Sequence, residues 1–326
     1  METYNRMIGI FEKLNTPRIK EIGKLETNNF TRNRKMPFED LSLYILSQKG
    51  KTITMEINNY FKEKNKREDR VTKQNFCKQR CNPNPEVFKQ LGKEYVESIY
   101  TSSEYKTFKG YILTAIDGTT LEIPNTKELQ IEYDCQKSGK ESARTIARAR
   151  SSGIYDVENN IMIDAIIEKY TTCERTLATQ NLNNMLSILG TVKRIITVFD
   201  RGYVSIDILL SLNKLPIKYL FRLPSTIFKA ERNSMKSNDE IVDIKIKGSR
   251  LAGLFYENLK DVDNGLDKIS PRMVKIILST GEEECLLTNL PYNEVNTIEL
   301  GELYFKRWGI ETAYDVLKNK LYIENI

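Results

Sequence analysis

The hydrophobic period of the chain changes once, near residue 110, and that change limits what it can fold into. Before it, apolar residues recur at helical spacing. MPFEDLSLYILSQKG carries Leu41, Leu43 and Leu46 beside Tyr44 and Ile45, and Gly50 ends the run. ITMEINNYFKEK repeats the pattern with Ile53, Ile57, Tyr60 and Phe61, and VTKQNFCKQR predicts a further short helix. The chain breaks at Asn82-Pro83-Asn84-Pro85, and PEVFKQLGKEYVESIY resumes helical spacing. After residue 110 short β-rich runs take over. YILTAI (111–116) and TTLEI (119–123) meet at Asp117-Gly118, a strong hairpin signal, and ARARSSGIYDV and IMIDAIIEKY meet at Glu158-Asn159-Asn160. A helix, ERTLATQNLNNMLSILG, then leads to the strand RIITVFD, and a second helix, SIDILLSLNKL, leads to IKYLFRL.

Hairpin strands followed by strand–helix–strand–helix–strand predict an α/β fold, a mixed sheet flanked by helices, compatible with an RNase H-like core. Residues 225–292 are less regular; IVDIKIKG and RMVKIILST suggest a mostly β insertion. A last helix is predicted from about Asn296, where Asn296 and Glu299 have the spacing of a capping box. The expected organisation is therefore a helical domain over 1–108 and an α/β domain over 109–326.

Charge follows the same division. Residues 1–110 hold 22 basic and 14 acidic side chains, a net of +8, whereas the remainder holds 28 and 30. The densest stretch, 62–80, has eight basic and three acidic residues, preceded by a smaller cluster of Arg32, Arg34 and Lys35. This suits phosphate binding, although a solvated, charge-rich helix face has the same composition. The chain has no histidine, which excludes Ser-His-Asp and Cys-His catalysis and His-ligated metal sites. Chemistry must rest on carboxylates, Lys, Tyr or Cys. The five cysteines are scattered, and only Cys77 and Cys81 are close, so free thiols in a reducing cytoplasm are expected. No segment has the roughly 20 apolar residues of a membrane span, and no signal-peptide core opens the chain.

Three carboxylates stand out by position. Asp117 follows YILTAI; as a hairpin residue it needs no function. Asp200 ends RIITVF, where α/β sheets place ligands, although it could equally cap the next turn. Glu311 lies in LYFKRWGIETAYDVLKNKL, where Tyr304, Arg307, Glu311 and Lys318 are spaced by 3, 4 and 7 residues. In one continuous helix these four share an arc of roughly 60°. Ile310, Ala313, Tyr314, Leu317 and Leu321 form an adjacent apolar stripe able to pack on the sheet. Arg307–Glu311 is also an ordinary i,i+4 surface pair. Three carboxylates converging on one sheet edge repel one another unless a divalent cation is present, and such oxygen-only sites suit Mg²⁺ or Mn²⁺. A pair of such ions supports phosphodiester chemistry.

AIDGTT, VFDRGY and the spacing of Tyr304, Arg307, Glu311 and Lys318 within YFKRWGIE and its continuation resemble the DDE transposases of bacterial insertion sequences, in insertion sequence family four with its Y-R-E-K signature. The resemblance runs from about residue 30 to the C-terminus. It implies a retroviral-integrase-like catalytic domain in which Asp117, Asp200 and Glu311 are the catalytic triad and hold Mg²⁺ or Mn²⁺, two ions in all. It implies that Arg307 and Lys318 contact phosphates of the transposon end, that Tyr304 positions the strand, and that Arg201 and Tyr203 touch DNA. The implied reaction is cut-and-paste transposition: water hydrolyses a strand at the terminal inverted repeat and the freed 3′-hydroxyl attacks other phosphodiesters. Partners would be end and target DNA and a second copy of the chain, in the bacterial cytoplasm near the nucleoid, with no membrane. Some relatives stack a flipped base on a Trp of the β insertion, but the one Trp here is Trp308, so no stacking residue is assigned. Relatives also continue beyond the equivalent of Lys318, whereas this chain ends eight residues later, so a C-terminally truncated copy is expected. A non-catalytic DNA-binding remnant or inhibitor is the alternative. A general RNase H-like nuclease explains the carboxylates but not the Tyr304–Lys318 spacing.

Overall fold

The computed structural model describes residues 2–32, 34–102, 104–136, 145–191, 193–278 and 281–324. The chain divides into two units, 1–104 together with 316–326, and 105–315. The first unit therefore reclaims the last residues, which sequence reading assigned to the α/β domain. The physical link is local: Gly50, at φ +71°, leaves no room for a side chain, because a Cβ there would lie 2.9 Å from Tyr322.

In that unit α1 (Glu2–Glu12), α2 (Pro17–Ile22), α3 (Phe38–Ser47), α4 (Ile53–Glu63), α5 (Lys73–Gln79) and α6 (Glu86–Thr101) bury two apolar clusters. Leu41, Tyr44, Ile57, Phe61 and Phe76 form one, with the Phe76 ring edge-on to Tyr44 at 4.7 Å. Leu14, Ile19, Phe38, Val87 and Leu91 form the other. Phe38, Leu41 and Tyr44 recur every three residues and face inward, whereas Leu46, predicted to share the stripe, is rotated off it and 49% exposed. All eight basic side chains of 62–80, and Arg32, Arg34 and Lys35, are exposed.

The second unit is built on a sheet of nine strands among the described residues. In chain order its elements are β1 (Ile112–Glu122), α7 (Lys127–Tyr133), β2 (Cys135–Gln136), β3 (Ile146–Asp156), β4 (Ile161–Lys169), α8 (Glu174–Leu189), β5 (Ile195–Phe199), α9 (Ile206–Asn213) and β6 (Lys218–Arg222). Then follow α10 (Lys229–Ser234), β7 (Asp239–Ile241), β8 (Ile244–Lys245), α11 (Tyr256–Asp263), β9 (Lys268–Ile269), β10 (Arg272–Ile277), β11 (Glu283–Thr288), α12 (Thr297–Phe305) and α13 (Trp308–Asp315). The strand order is β2-β3-β1-β5-β6-β11-β10-β7, with β4 also on β3. β1, β5 and β6 are parallel neighbours; β3, β4, β11, β10 and β7 pair antiparallel. The β3–β4 hairpin turns at the expected Glu158-Asn159-Asn160, where Asn160 takes φ 56° and the Asp156 carboxylate accepts from the Glu158 and Asn159 amides.

Two expectations change. The strands flanking Asp117-Gly118 are not a hairpin: β1 runs straight through both residues. Local turn preference loses because β3 pairs β1 continuously from Thr114 to Glu122, while β5 pairs it up to Ile116 on the other side. Nor are residues 225–292 mostly β. They hold α10 and α11, and their longest strands, β10 and β11, join the main sheet through β6; only β8 and β9 stand apart. The last two residues of RMVKIILST lie outside the described residues.

Alternation along β1 decides which face each residue serves. Gly118 and its partner Ser152 face α8, where a Cβ on Gly118 would meet Glu174 and Ser152 hydrogen-bonds Asn181 at 2.7 Å. Asp117 and its partner Gly153 face the other way, toward α13. On that second face Leu113, Ile196, Val198, Leu220 and Leu286 pack with Leu300, Leu303 and Tyr304 of α12. Each such buried side chain contributes about 1.5–3 kcal/mol relative to exposure. This packing seats α12 on β6 and β10, and α13 follows on β1 and β3 with Ile310 and Tyr314 buried; Leu321, expected in the same stripe, is 55% exposed and belongs to the first unit.

Candidate active site

The parallel register of β1 and β5 pairs Ile116 with Phe199, so the next residues along, Asp117 and Asp200, sit side by side where the pairing ends. Neighbouring strands lie about 4.8 Å apart, which brings two acidic residues 83 positions apart in sequence within one site. Gly153, opposite Asp117, lets Tyr314 of α13 approach that face closely. Asp200 precedes a 3₁₀ turn, Arg201–Tyr203, but its side chain makes no capping bond. Its Oδ1 instead accepts from the Tyr304 hydroxyl at 3.3 Å.

Glu311 approaches from α13. The helix is held by Tyr314, whose hydroxyl donates to the Asp117 carbonyl oxygen at 2.8 Å. The predicted single helix over the four signature residues is interrupted. α12 starts at the expected Asn296–Glu299 capping box and stops at Phe305; Lys306 and Arg307 form a turn, and a π-helical segment, Val316–Lys320, follows α13. At the turn the Arg307 and Ile310 amides reach back only three residues, to Tyr304 and Arg307. Arg307 is 6% exposed and lies between two of the carboxylates. Its Nη2 donates to Glu311 Oε1 at 2.6 Å and its Nη1 is 3.8 Å from Asp117 Oδ2. The guanidinium also lies 5.6 Å from the Trp308 ring centre, and its buried Nε has no partner among the described residues.

The electrostatics follow from burial first and from neighbouring charges second. Burial pushes the Asp117 carboxyl up to about 6; the Gly118 amide and Arg307 pull it down, and Glu311 and Asp200 push it up. Burial likewise raises Tyr304 to about 12, despite the opposing pull of Arg307. For Arg307 burial acts downward, but Tyr304 and the carboxylates of Glu311 and Asp200 outweigh it, so the guanidinium stays firmly charged.

The other sequence-predicted residues are distributed unevenly. Arg201 is exposed beside Asp200. Tyr203 is 2% exposed, with its ring against Phe199 and its buried hydroxyl unpartnered among the described residues, so it is core rather than surface. Tyr304 is also buried and is a hydrogen-bond donor to Asp200. Lys318 lies in the first unit, within Val316–Lys320, 3.4 Å from Glu324. Two contributors escaped sequence reading. Tyr314 was counted as apolar, and its polar end shows only in the fold. Gly153 left a signal, a glycine inside a strand pattern, which marks close approach. A Cβ there would lie 2.9 Å from the Tyr314 hydroxyl and 2.8 Å from Met162 Sδ.

The donor set fits a hard divalent ion: carboxylate oxygens only, with Asp117 raised by burial first and by the neighbouring carboxylates after it. The spacing is not closed around one. Among the described residues no three His, Cys, Asp or Glu side chains are near enough together to hold an ion, because Arg307 stands between Asp117 and Glu311.

Residues 108–326 match the family described as Transposase DDE domain. The chain belongs to that family. No curated protein matches it. Among solved structures it resembles a piggyBac transposase synaptic complex with hairpin DNA, at 9% identity over 96% of this chain and 68% of that one, with a TM-score of 0.49. It also resembles a pre-cleavage Mos1 transpososome, at 11% identity over 60% of this chain and 61% of that one, with a TM-score of 0.24. A Mos1 mariner paired-end complex with Mn aligns at 13% identity over 66% and 65%, again at 0.24. The chain thus spans less than two thirds of the Mos1 chains. The DDE transposase family is one of nucleases and strand transferases. In this DDE domain no helix among the described residues is long and apolar enough to cross a membrane.

Proposed function

We propose that the chain is a DNA transposase of the insertion sequence family four type, acting by cut-and-paste at terminal inverted repeats, with Asp117, Asp200 and Glu311 as its catalytic carboxylates. The observation that carries this reading is the register of β1 and β5, which sets Asp117 beside Asp200 on the face that α13 covers with Glu311. The order β4-β3-β1-β5-β6, antiparallel then parallel, supports an RNase H-like core.

Asp117, Asp200 and Glu311 would hold Mg²⁺ or Mn²⁺, two ions in the full site, which supply Lewis-acid stabilisation of the attacking and leaving oxygens. The chain's own residues do the rest. Tyr304 orients Asp200 through its hydroxyl, and Tyr314 fixes α13 on β1, so that Glu311 is presented to Asp117. The exposed Arg201 lies where it would meet a strand entering this edge, and Arg307 and Lys318 would take up phosphates of the transposon end. The basic, exposed surface of 62–80 supports a DNA-binding role for the first unit. A second copy of the chain and target DNA complete the proposed assembly, in a bacterial cytoplasm. A non-catalytic end-binding chain is a second reading, favoured by one observation: Arg307, not an ion-sized gap, separates Asp117 from Glu311.

A cleavage assay on the element's own terminal repeats separates the two. With Mg²⁺ present the wild-type chain should nick the repeat ends, and Asp117→Asn, Asp200→Asn or Glu311→Gln should reduce nicking to background while end binding persists. A substituted chain that still cuts would overturn the triad. A wild-type chain that binds the repeats but never cuts them supports the second reading.

A further inference from the structure

Arg307 occupies an unusual place for a side chain expected to touch DNA. It is 6% exposed, one nitrogen is 2.6 Å from Glu311 and another 3.8 Å from Asp117, and its Nε finds no partner among the described residues. A guanidinium cannot give up its proton under ordinary conditions, so its charge is permanent. Two carboxylates facing one buried cation form a cluster that the cation partly neutralises, and removing it leaves their negative charge without compensation. A divalent ion entering between the same oxygens would meet the guanidinium at a few ångströms, where like charges repel strongly.

We infer that Arg307 is the built-in counter-cation of the ion-free carboxylate site, and that a divalent ion binds by displacing it from Asp117 and Glu311. This rests on the proposed metal-holding role of those carboxylates. Arg307 is then a positioning residue: it keeps α13 and β1 together without metal and weakens metal binding by competing for the same oxygens. The partly satisfied guanidinium suits that role, since its unpartnered Nε and the long contact to Asp117 leave less to break than a bidentate pair would. The exchange replaces one positive charge with two against the same carboxylates, and it makes or breaks no covalent bond. The ion enters, and the guanidinium turns outward, where a phosphate is the matching acceptor.

The test is Mn²⁺ binding to the full chain by isothermal titration calorimetry, with thermal unfolding in EDTA and in MnCl₂ as a second readout. Arg307→Gln removes the charge and should bind Mn²⁺ at least about tenfold more tightly than wild type, as expected for loss of a repelling charge a few ångströms away. Its melting temperature should be lower than wild type in EDTA and should rise more on adding Mn²⁺, by linkage. Arg307→Lys keeps the charge and should stay near wild type. Asp117→Asn with Glu311→Gln should abolish the binding. If the carboxylate-dependent binding exists but Arg307→Gln binds no more tightly, the inference fails and the metal reading stands. If neither wild type nor Arg307→Gln binds Mn²⁺ through these carboxylates, both fail. Should Arg307→Gln be unfolded in EDTA, Mn²⁺ must refold it; a chain that stays unfolded in excess Mn²⁺ also overturns the inference.

Discussion

Asp117 shows how much one residue's surroundings control. Its carboxyl is pushed up to about 6 by burial first and by Glu311 and Asp200 after that, against the Gly118 amide and Arg307. An unfolded aspartate releases its proton near pH 4. Between about pH 4 and 6 the folded state therefore binds more protons than the unfolded one, and stability falls as pH rises through that window. In EDTA, the wild-type chain should lose stability across this range, and Asp117→Asn should flatten the loss, as read by urea unfolding at a series of pH values. A wild-type curve parallel to that of Asp117→Asn would show that the carboxyl is not under this strain. The instability is the counterpart of a site that waits for positive charge. The i,i+4 spacing of Arg307 and Glu311 could be read from the chain, but whether it was a solvated surface pair or a buried one could not. Spacing is a property of the helix, whereas burial depends on what the helix lies against.

At the scale of elements, the seating of α13 on β1 and β3 is what brings Glu311 to the sheet. It depends on a missing side chain. Gly153 stands opposite Asp117, and a methyl group there would press on the Tyr314 hydroxyl and on Met162 Sδ. Gly153→Ala should destabilise the second unit by about 1–3 kcal/mol, the usual cost of overpacking. It should also lower metal-dependent cleavage more than its stability loss explains, because Tyr314 would no longer hold the Asp117 carbonyl. Unfolding and cleavage measured on the same preparation check this; unchanged stability would mean that α13 shifts freely. Helices α8 and α9, the β3–β4 hairpin and the Asn296–Glu299 cap follow from local pattern and appear where expected, whereas α7, α10 and α11 are not anticipated. The Asp117-Gly118 turn does not form, because a two-residue turn preference is small beside the hydrogen bonds of a strand that β3 pairs through both residues. The single last helix fails for a similar reason. Its break at Lys306–Arg307 serves the burial of Arg307 among carboxylates, a contact that no periodicity reports.

The whole molecule separates its charges. The first unit exposes all eight basic side chains of 62–80, while the carboxylate site belongs to the other unit. If the first unit holds DNA, affinity should fall steeply with salt, and each lost phosphate contact should reduce the slope of log K against log salt by about 0.9. Lys73→Gln with Lys78→Gln should thus flatten the slope by up to about two, measured by anisotropy on the terminal repeats, with cleavage at saturating DNA little changed. A slope unaffected by both would assign these side chains to solvent. The chain alone determines most of the helices and strands, where the basic charge lies, and that catalysis without histidine must use other groups, since these depend on residue type and local period. The union of Asp117 with Asp200 and Glu311, the burial of Arg307 between them, and the assignment of residues 316–326 to the first unit come from pairing and packing between distant segments. Such contacts cost the chain loop closure and are decided by the sum of many burials, which no single stretch of sequence contains.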